Sequence, residues 1–282
     1  MKRKLNPNSL LLTAFVVVNA AGLTAAQSAD TATPALTDQQ KEEFLRSAKI
    51  TAMKELSVGI NNTHRATLTD GKTTRYAHVQ SVNISKSLFA TVNGPEVNFR
   101  DSYKYNIVAY NLDRLLGLNM VLVSVERKVE GDSSAVTWWL DFKLMEKDRH
   151  QNKTPVPPTR RINWNDQMYQ TRVFNELIYN TDPNLGNRLI TEDWSIRLVD
   201  FTRAFRRLKT LRAPKNLNRC DRRIYNAMQE LNGENLTREL GEYLVKPEIQ
   251  AILARRDKIM KFFNSEIAAK GEAAVICDRE GH

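Results

Sequence analysis

Cysteine is scarce in this chain: Cys220 and Cys277 are the only two in 282 residues. That excludes the small disulfide-built scaffold, in which several bridges stand in for a core. Glycine and proline are also sparse, at 11 and 9, which excludes collagen-like and low-complexity chains. The four histidines, His64, His78, His150 and His282, show neither zinc spacing nor a motif that would set a base beside a thiol. A catalytic cysteine is therefore not expected. Cys220 and Cys277 either pair to tie a long C-terminal loop or stay as separate buried thiols, and the sequence admits both. Long apolar runs are missing past the first thirty residues. Val121–Val125 and Val136–Leu140 have strand length and cannot cross a bilayer.

What is present is globular in balance, with 41% apolar and 26% charged residues in 32.3 kDa. This length predicts one large or two modest domains with a real core. Lys and Arg number 42 against 32 Asp and Glu, a net charge of +10, and the pI is near 9.6. That surplus favours anionic partners: nucleotide, nucleic acid, acidic lipid or an acidic cell-envelope polymer. No helix-turn-helix or RNA-binding signature accompanies it and the cations are scattered, so no specific nucleic-acid partner is expected.

Residues 1–26 read as a signal peptide. Lys2, Arg3 and Lys4 precede an uncharged apolar run from Leu10 to Ala26, and Thr24-Ala25-Ala26 offers small residues for cleavage. The expectation is an exported chain, periplasmic or extracellular. An uncleaved anchor would keep it on the membrane but on the same side. Residues 27–36 form a polar linker.

From Thr37 the pattern becomes structural. Thr37-Asp38-Gln39-Gln40 has the form of a capping box, and Phe44, Leu45, Ala48 and Ala52 continue it at helical spacing. Three antiparallel strands are predicted over Glu55–Ile60, Arg65–Leu68 and Tyr76–Val82, then a helix over Asp101–Leu116 that stops at Gly117. Strands Val121–Val129 and Ala135–Leu140 follow, joined at Glu130-Gly131-Asp132. A charged, Pro-rich connector separates the two halves, which divides the chain into an N-lobe (37–145), a connector (146–163) and a C-lobe (164–282). In the C-lobe a helix from Trp164 to Tyr179 enters the polar loop 180–187. A hairpin of Arg188–Thr191 and Ser195–Val199 ends at Asp200, and helices fill about 216–270. Arg203, Arg206 and Arg207 read as a solvated basic turn, and Arg255-Arg256-Asp257 as an exposed helical charge cluster. Trp138, Trp139 and Phe201 read as packing residues.

Two stretches within this order carry chemistry: Val173-Phe174-Asn175-Glu176-Leu177-Ile178-Tyr179-Asn180-Thr181-Asp182-Pro183-Asn184-Leu185-Gly186-Asn187, and Ile196-Arg197-Leu198-Val199-Asp200-Phe201-Thr202-Arg203-Ala204-Phe205. Asp182 and Asn187 have the Asp-x4-Asn spacing of a kinase catalytic loop, and Asp200 follows at the end of the next hairpin. Taken alone, such a loop also satisfies its own backbone through Asx turns. Together with the element order it resembles the protein-kinase-like superfamily, and within it the atypical branch of HipA-like and phosphatidylinositol 4-kinase-like bacterial domains.

The resemblance implies an α+β fold of two lobes, a small antiparallel β lobe and a helical C-terminal lobe. It implies transfer of a phosphoryl or nucleotidyl group from a magnesium-bound nucleotide, such as ATP, to a hydroxyl of a protein, lipid or saccharide. Asp182 would orient or deprotonate the acceptor, and Asn187 and Asp200 would give magnesium the hard oxygens it prefers. Gly59 would lie in the loop over the phosphates, and residues 141–144 would form the hinge beside the adenine. Gln80 stands where the phosphate-binding lysine is usual and Asn106 where its glutamate partner is usual. Lys104, Lys86 or Arg100 would then be left to supply the missing charge. Two alternatives accompany this reading: a catalytically impaired pseudokinase-type binding module, and an exported basic protein that binds acidic envelope polymers.

Overall fold

The computed structural model describes residues 36–56, 63–91 and 94–278. Residues 1–35, which include the expected signal peptide and most of the expected linker, and Gly59 with its loop lie outside the described residues. Helix α1 (Asp38–Ser47) starts at the capping box: Thr37 Oγ1 accepts from the Gln40 amide at 3.2 Å, and Gln40 Oε1 accepts from the Thr37 amide at 2.9 Å. The helix stops sooner than its apolar spacing suggested. Ala48 is already extended, and β1 (Lys49–Glu55) takes over the stretch that includes Ala52. Ile50 and Thr51 are β-branched and β1 pairs along β2 (Thr63–Thr69), so sheet pairing outweighs the helical pattern there.

β3 (Thr74–Gln80), β6 (Ser124–Val129) and β7 (Asp132–Trp138) complete a five-stranded sheet in the order β1-β2-β3-β7-β6, with every pairing antiparallel. Ala66, Leu68, Ala77, Val79, Val125 and Val136 are its buried face. β6 and β7 turn through Glu130 and Gly131, at φ 51° and 96°. Two consecutive positive φ values are what a tight hairpin with native twist requires. Between β3 and the next helix lies a hairpin that the sequence pattern did not suggest, β4 (Asn83–Thr91) and β5 (Gly94–Ser102), a separate two-stranded sheet. α2 (Lys104–Leu115) buries Val108, Ala109 and Leu112 and is followed by Gly117 at φ 66°.

The second half is mainly helical. β8 (Leu144–Met145), α3 (Glu146–Gln151) and a single turn at Pro158–Arg160 precede α4 (Arg161–Leu177). β9 (Arg188–Ile190) pairs with both β8 and β10 (Ile196–Leu198), so Leu144 and Met145 belong to a small sheet beside the polar loop. β11 (Cys220–Asp221), α5 (Arg222–Glu230), α6 (Gly233–Leu240), α7 (Lys246–Lys270), α8 (Glu272–Val275) and β12 (Ile276–Cys277) complete the described residues. β11 and β12 pair in parallel and bring the two cysteines together as buried free thiols, with Cys277 Sγ donating to the Cys220 carbonyl at 3.4 Å. Burial pushes the Cys277 thiol up to about 12, so neither sulfur is poised as a nucleophile.

One basic residue belongs to the core. Arg255 is fully buried on α7, not exposed as its charged neighbours suggested. Its Nε donates to the Leu177 carbonyl at 2.7 Å, and its Nη1 donates to the carbonyls of Arg206 (2.8 Å) and Leu208 (2.5 Å). Burial lowers its pKa to about 10, still well above neutrality, so it stays charged. Among the described residues no helix is long and apolar enough to cross a membrane.

Candidate functional site

The loop that leaves α4 is organised by its own side chains. Tyr179 turns at φ 46°. Asn180 Oδ1 then accepts from the Asp182 amide at 3.0 Å, while Asn184 Oδ1 accepts from Gly186 at 2.8 Å. These are the Asx turns anticipated for such a sequence. They do not exclude a site, because the same turns fix where Asp182 and Asn187 stand. Asn187 Nδ2 donates to the carbonyls of Asp182 (3.3 Å) and Asp200 (3.5 Å). Among the described residues its Oδ1 accepts no hydrogen bond and is left for another partner. The antiparallel β9–β10 pair pulls the chain back so that Val199 N donates to Asn187 O at 3.1 Å, and Asp200 comes next. Asp182, Asn187 and Asp200 are thus gathered by one amide.

Asp200 sits at φ 59°, a left-handed conformation uncommon outside glycine and held here by its surroundings. Burial raises its carboxyl pKa, and the nearby charges of Asp182 and Asp101 push the same way. Hydrogen bonds from Gln80 and Thr202 act in the opposite direction. A carboxylate so placed gains from a cation.

Gln80 and Asn106 meet behind Asp200. Asn106 Nδ2 donates to Gln80 Oε1 at 2.7 Å, and Asn106 Oδ1 accepts from the Phe201 amide at 2.8 Å. Both side chains are buried. The Gln80 amide nitrogen serves the Asp200 carboxylate. A chain of hydrogen bonds therefore runs from α2 through β3 to Asp200, while Phe201 packs edge-on against Phe174. No ion pair is made between β3 and α2 at this point. Two neutral amides do the linking.

The recess in front of this network is lined by His78, Gln80, Asn106, Ser124, Thr137 and Asp200, among others. His78 is held neutral, its pKa lowered to about 4 by burial and by the neighbouring His64. Lys104 opens α2 and does not line the recess. A rise of two residues carries it well round the helix from Asn106. Lys86 and Arg100 are on the β4–β5 hairpin and line a different pocket.

Sequence reasoning missed the cationic side of the site. Arg203 is not in a solvated turn: its Nε donates to the buried Asp101 carboxylate at 2.9 Å, and its carbonyl accepts from both Thr181 N and Thr181 Oγ1. Asp101, Asp182 and Asp200 together raise its pKa. Arg206 is buried against Glu96 at 2.5 Å. The available signal was the position of Arg203 three residues after Asp200, but its hydrogen-bonded partner, Asp101, lies 102 residues away in sequence.

The donor set fits a hard divalent cation. A carboxylate on Asp200 and an amide oxygen on Asn187 match magnesium or manganese, and magnesium in particular leaves several positions to water and phosphate oxygens. Among the described residues no group of three or more His, Cys, Asp or Glu forms a metal cluster, so a closed all-protein cage is not built here.

The β-sheet with α2 across it, the small sheet presenting Asp200 and the helical half together match solved structures. The Golgi casein kinase with Mn and ADP bound aligns over 87% of this chain and 80% of its own, with a TM-score of 0.61 and 13% identity. The fold is protein-kinase-like. A second Golgi casein kinase structure aligns at TM-score 0.59 and 13% identity, covering 85% of this chain and 77% of that one. CtkA, a proinflammatory kinase of Helicobacter pylori, aligns at 0.45 and 8% identity over 82% and 96%. No protein family matches the chain, and no curated protein does either. In this kinase-like fold Gln80 ends β3 and Asn106 lies on α2, where the sequence resemblance looked for a lysine and a glutamate.

Proposed function

We propose that this chain is an atypical kinase-like phosphotransferase that moves a phosphoryl or nucleotidyl group from a metal-bound nucleotide to a hydroxyl. The observation that carries the reading is the Asn187 amide bonded to the carbonyls of both Asp182 and Asp200. It ties the backbone at Asp182 and at Asp200 to one side chain, which makes neighbours of the residues proposed as base, neutral oxygen ligand and charged oxygen ligand, and Asp200 lines the recess. Asp182 would accept or orient the acceptor's proton, and Asn187 with Asp200 would hold the cation. The metal, when bound, supplies charge neutralisation at the phosphates. Support for a nucleotide and a divalent ion comes from the similar Golgi casein kinase, whose structure holds Mn and ADP. An acceptor hydroxyl on an exported protein, lipid or saccharide agrees with the signal-like first 26 residues.

The test is nucleotide binding and transfer with Mg2+ or Mn2+, using ATP, ADP and other donors, with Asp200→Ala as the control. Equal behaviour of the two proteins with every donor would remove the mechanism. A second reading, a nucleotide-binding module without turnover, is favoured by the uncharged Gln80–Asn106 bridge, which offers no cation to the phosphates. Metal-dependent binding with no transfer to water or hydroxyl would select it. Binding of acidic polymers that survives both Asp182→Ala and Asp200→Ala would instead point to the basic surface.

A further inference from the structure

The β4–β5 hairpin carries a second recess, of about 230 Å³, lined by Ser85, Lys86, Ser87, Asn98, Arg100 and Arg207. Three cations, two hydroxyls and one amide line it, and no carboxylate does. It is small for a whole nucleotide, since sites for such ligands run to about 300–1,000 Å³. Its walls come from parts of the chain far apart in sequence. Ser85 and Arg100 are cross-strand partners, while Arg207 follows the segment that leaves Asp200. Arg206 pins the two parts together: it pairs with Glu96 and donates to the Arg100 carbonyl, both at 2.5 Å.

Behind the recess lies Glu248, buried on α7. Its two oxygens accept from the Tyr105 hydroxyl and the Val245 amide, each at 3.0 Å. Arg100 and Arg207 approach it only to 3.7 and 3.9 Å. Those separations orient the guanidiniums by charge but lie beyond hydrogen-bond length. Among the described residues the side chains of Lys86, Arg100 and Arg207 have no hydrogen-bonded acceptor. Two guanidiniums thus share one buried carboxylate, and with Lys86 they leave a surplus of positive charge lining the recess.

We propose that this recess binds a phosphate group, free or carried as a monoester, with Arg100 and Arg207 as forked donors, Lys86 as a point charge and the Ser85 and Ser87 hydroxyls completing the shell. The site lies apart from the Asp200 recess and does not depend on transfer chemistry. A phosphate held there would bridge the hairpin, the segment after Asp200 and, through Glu248 and Tyr105, helices α7 and α2. Free phosphate and a phosphorylated protein side chain share this chemistry.

Calorimetric titration of the full chain at low ionic strength tests the site, with inorganic phosphate and a phosphoserine peptide as probes and chloride and sulfate as controls. The expected result is one saturable phosphate site that persists in Asp200→Ala. A hydrogen bond to a charged group is worth enough that Lys86→Ala or Arg207→Ala should each weaken binding about 10- to 100-fold, and the double variant should abolish it. Both residues are exposed enough to be replaced without unfolding, which a melting curve checks. Tighter binding of the peptide assigns the site to protein-borne phosphate, and equal binding assigns it to the free ion. Absence of saturation, chloride competing as well as phosphate, or unchanged affinity in Arg207→Ala would each overturn the proposal.

Discussion

Asn106 is the residue whose loss should be felt most widely. Replacing it with leucine removes its bonds to Gln80 Oε1 and to the Phe201 amide, and both partners stay buried. Each orphaned group costs about 1–3 kcal/mol, so Asn106→Leu should destabilise the fold by about 4 kcal/mol. That is a large share of the roughly 5–15 kcal/mol available to a domain. Gln80→Leu orphans the Asn106 amide and withdraws a donor from Asp200. In the double variant the bond between the two amides is replaced by apolar contact, and neither of its ends is left alone. The double should therefore be less destabilised than the sum of the singles by about 4 kcal/mol, one orphan penalty for each end of the bond. Urea unfolding of the four proteins, read by tryptophan fluorescence, gives this coupling directly. Additivity within about 0.5 kcal/mol would mean that the two amides do not act as a unit, and the account of how Asp200 is positioned would fail.

Further outcomes follow from other residues. Asp200→Asn should abolish metal-dependent nucleotide binding and lower any turnover by about 100-fold or more, yet stabilise the fold at neutral pH. The raised pKa of Asp200 means that the native state holds this proton more tightly than the unfolded chain does. Wild-type stability therefore falls as pH rises through the carboxylate range, and the gain from Asn should vanish below pH 3.8. A melting series that shows no such gain contradicts it. His78 works the other way: neutral in the fold down to about 4 and titrating near 6.5 when unfolded, it withdraws stability as pH drops between those values, by at most about 3 kcal/mol. His78→Gln should flatten that part of the melting-temperature profile. Arg255→Leu should cost about 3–5 kcal/mol by leaving three carbonyls unpaired, and Arg255→Lys should not restore it, because one ammonium cannot reach as a fork does; denaturant midpoints of the two variants decide this.

Much of the fold could be read in advance because local signals agreed with the tertiary structure. Thr37 and Gln40 form the capping box, the apolar stripe of α2 is buried, and Glu130 with Gly131 makes the turn. The loop from Asn180 to Asn187 was legible since Asx chemistry and Asp-x4-Asn spacing are both short-range patterns. β1 was misread because Ala48 and Ala52 extend a helical stripe that only pairing with β2 overrides. The β4–β5 hairpin escaped notice because it has little alternation of apolar and polar residues and leaves Ile84, Leu88 and Val97 exposed. Arg203, Arg206 and Arg255 were read as solvated because their acceptors, Asp101, Glu96 and distant carbonyls, belong to other elements. The Gln80–Asn106 contact was anticipated only as a pair of absences. Its positive role as an amide bridge needed coordinates.

The guanidinium of Arg255 also sets an order of events. It fastens the carbonyls of Leu177, Arg206 and Leu208, which flank the polar loop and the segment after Asp200, yet it is donated by the last long helix. During synthesis the loop residues leave the ribosome well before that fastening exists. A chain interrupted ahead of residue 246 would carry every proposed reactive group and still leave the carbonyls on either side of them without this shared donor.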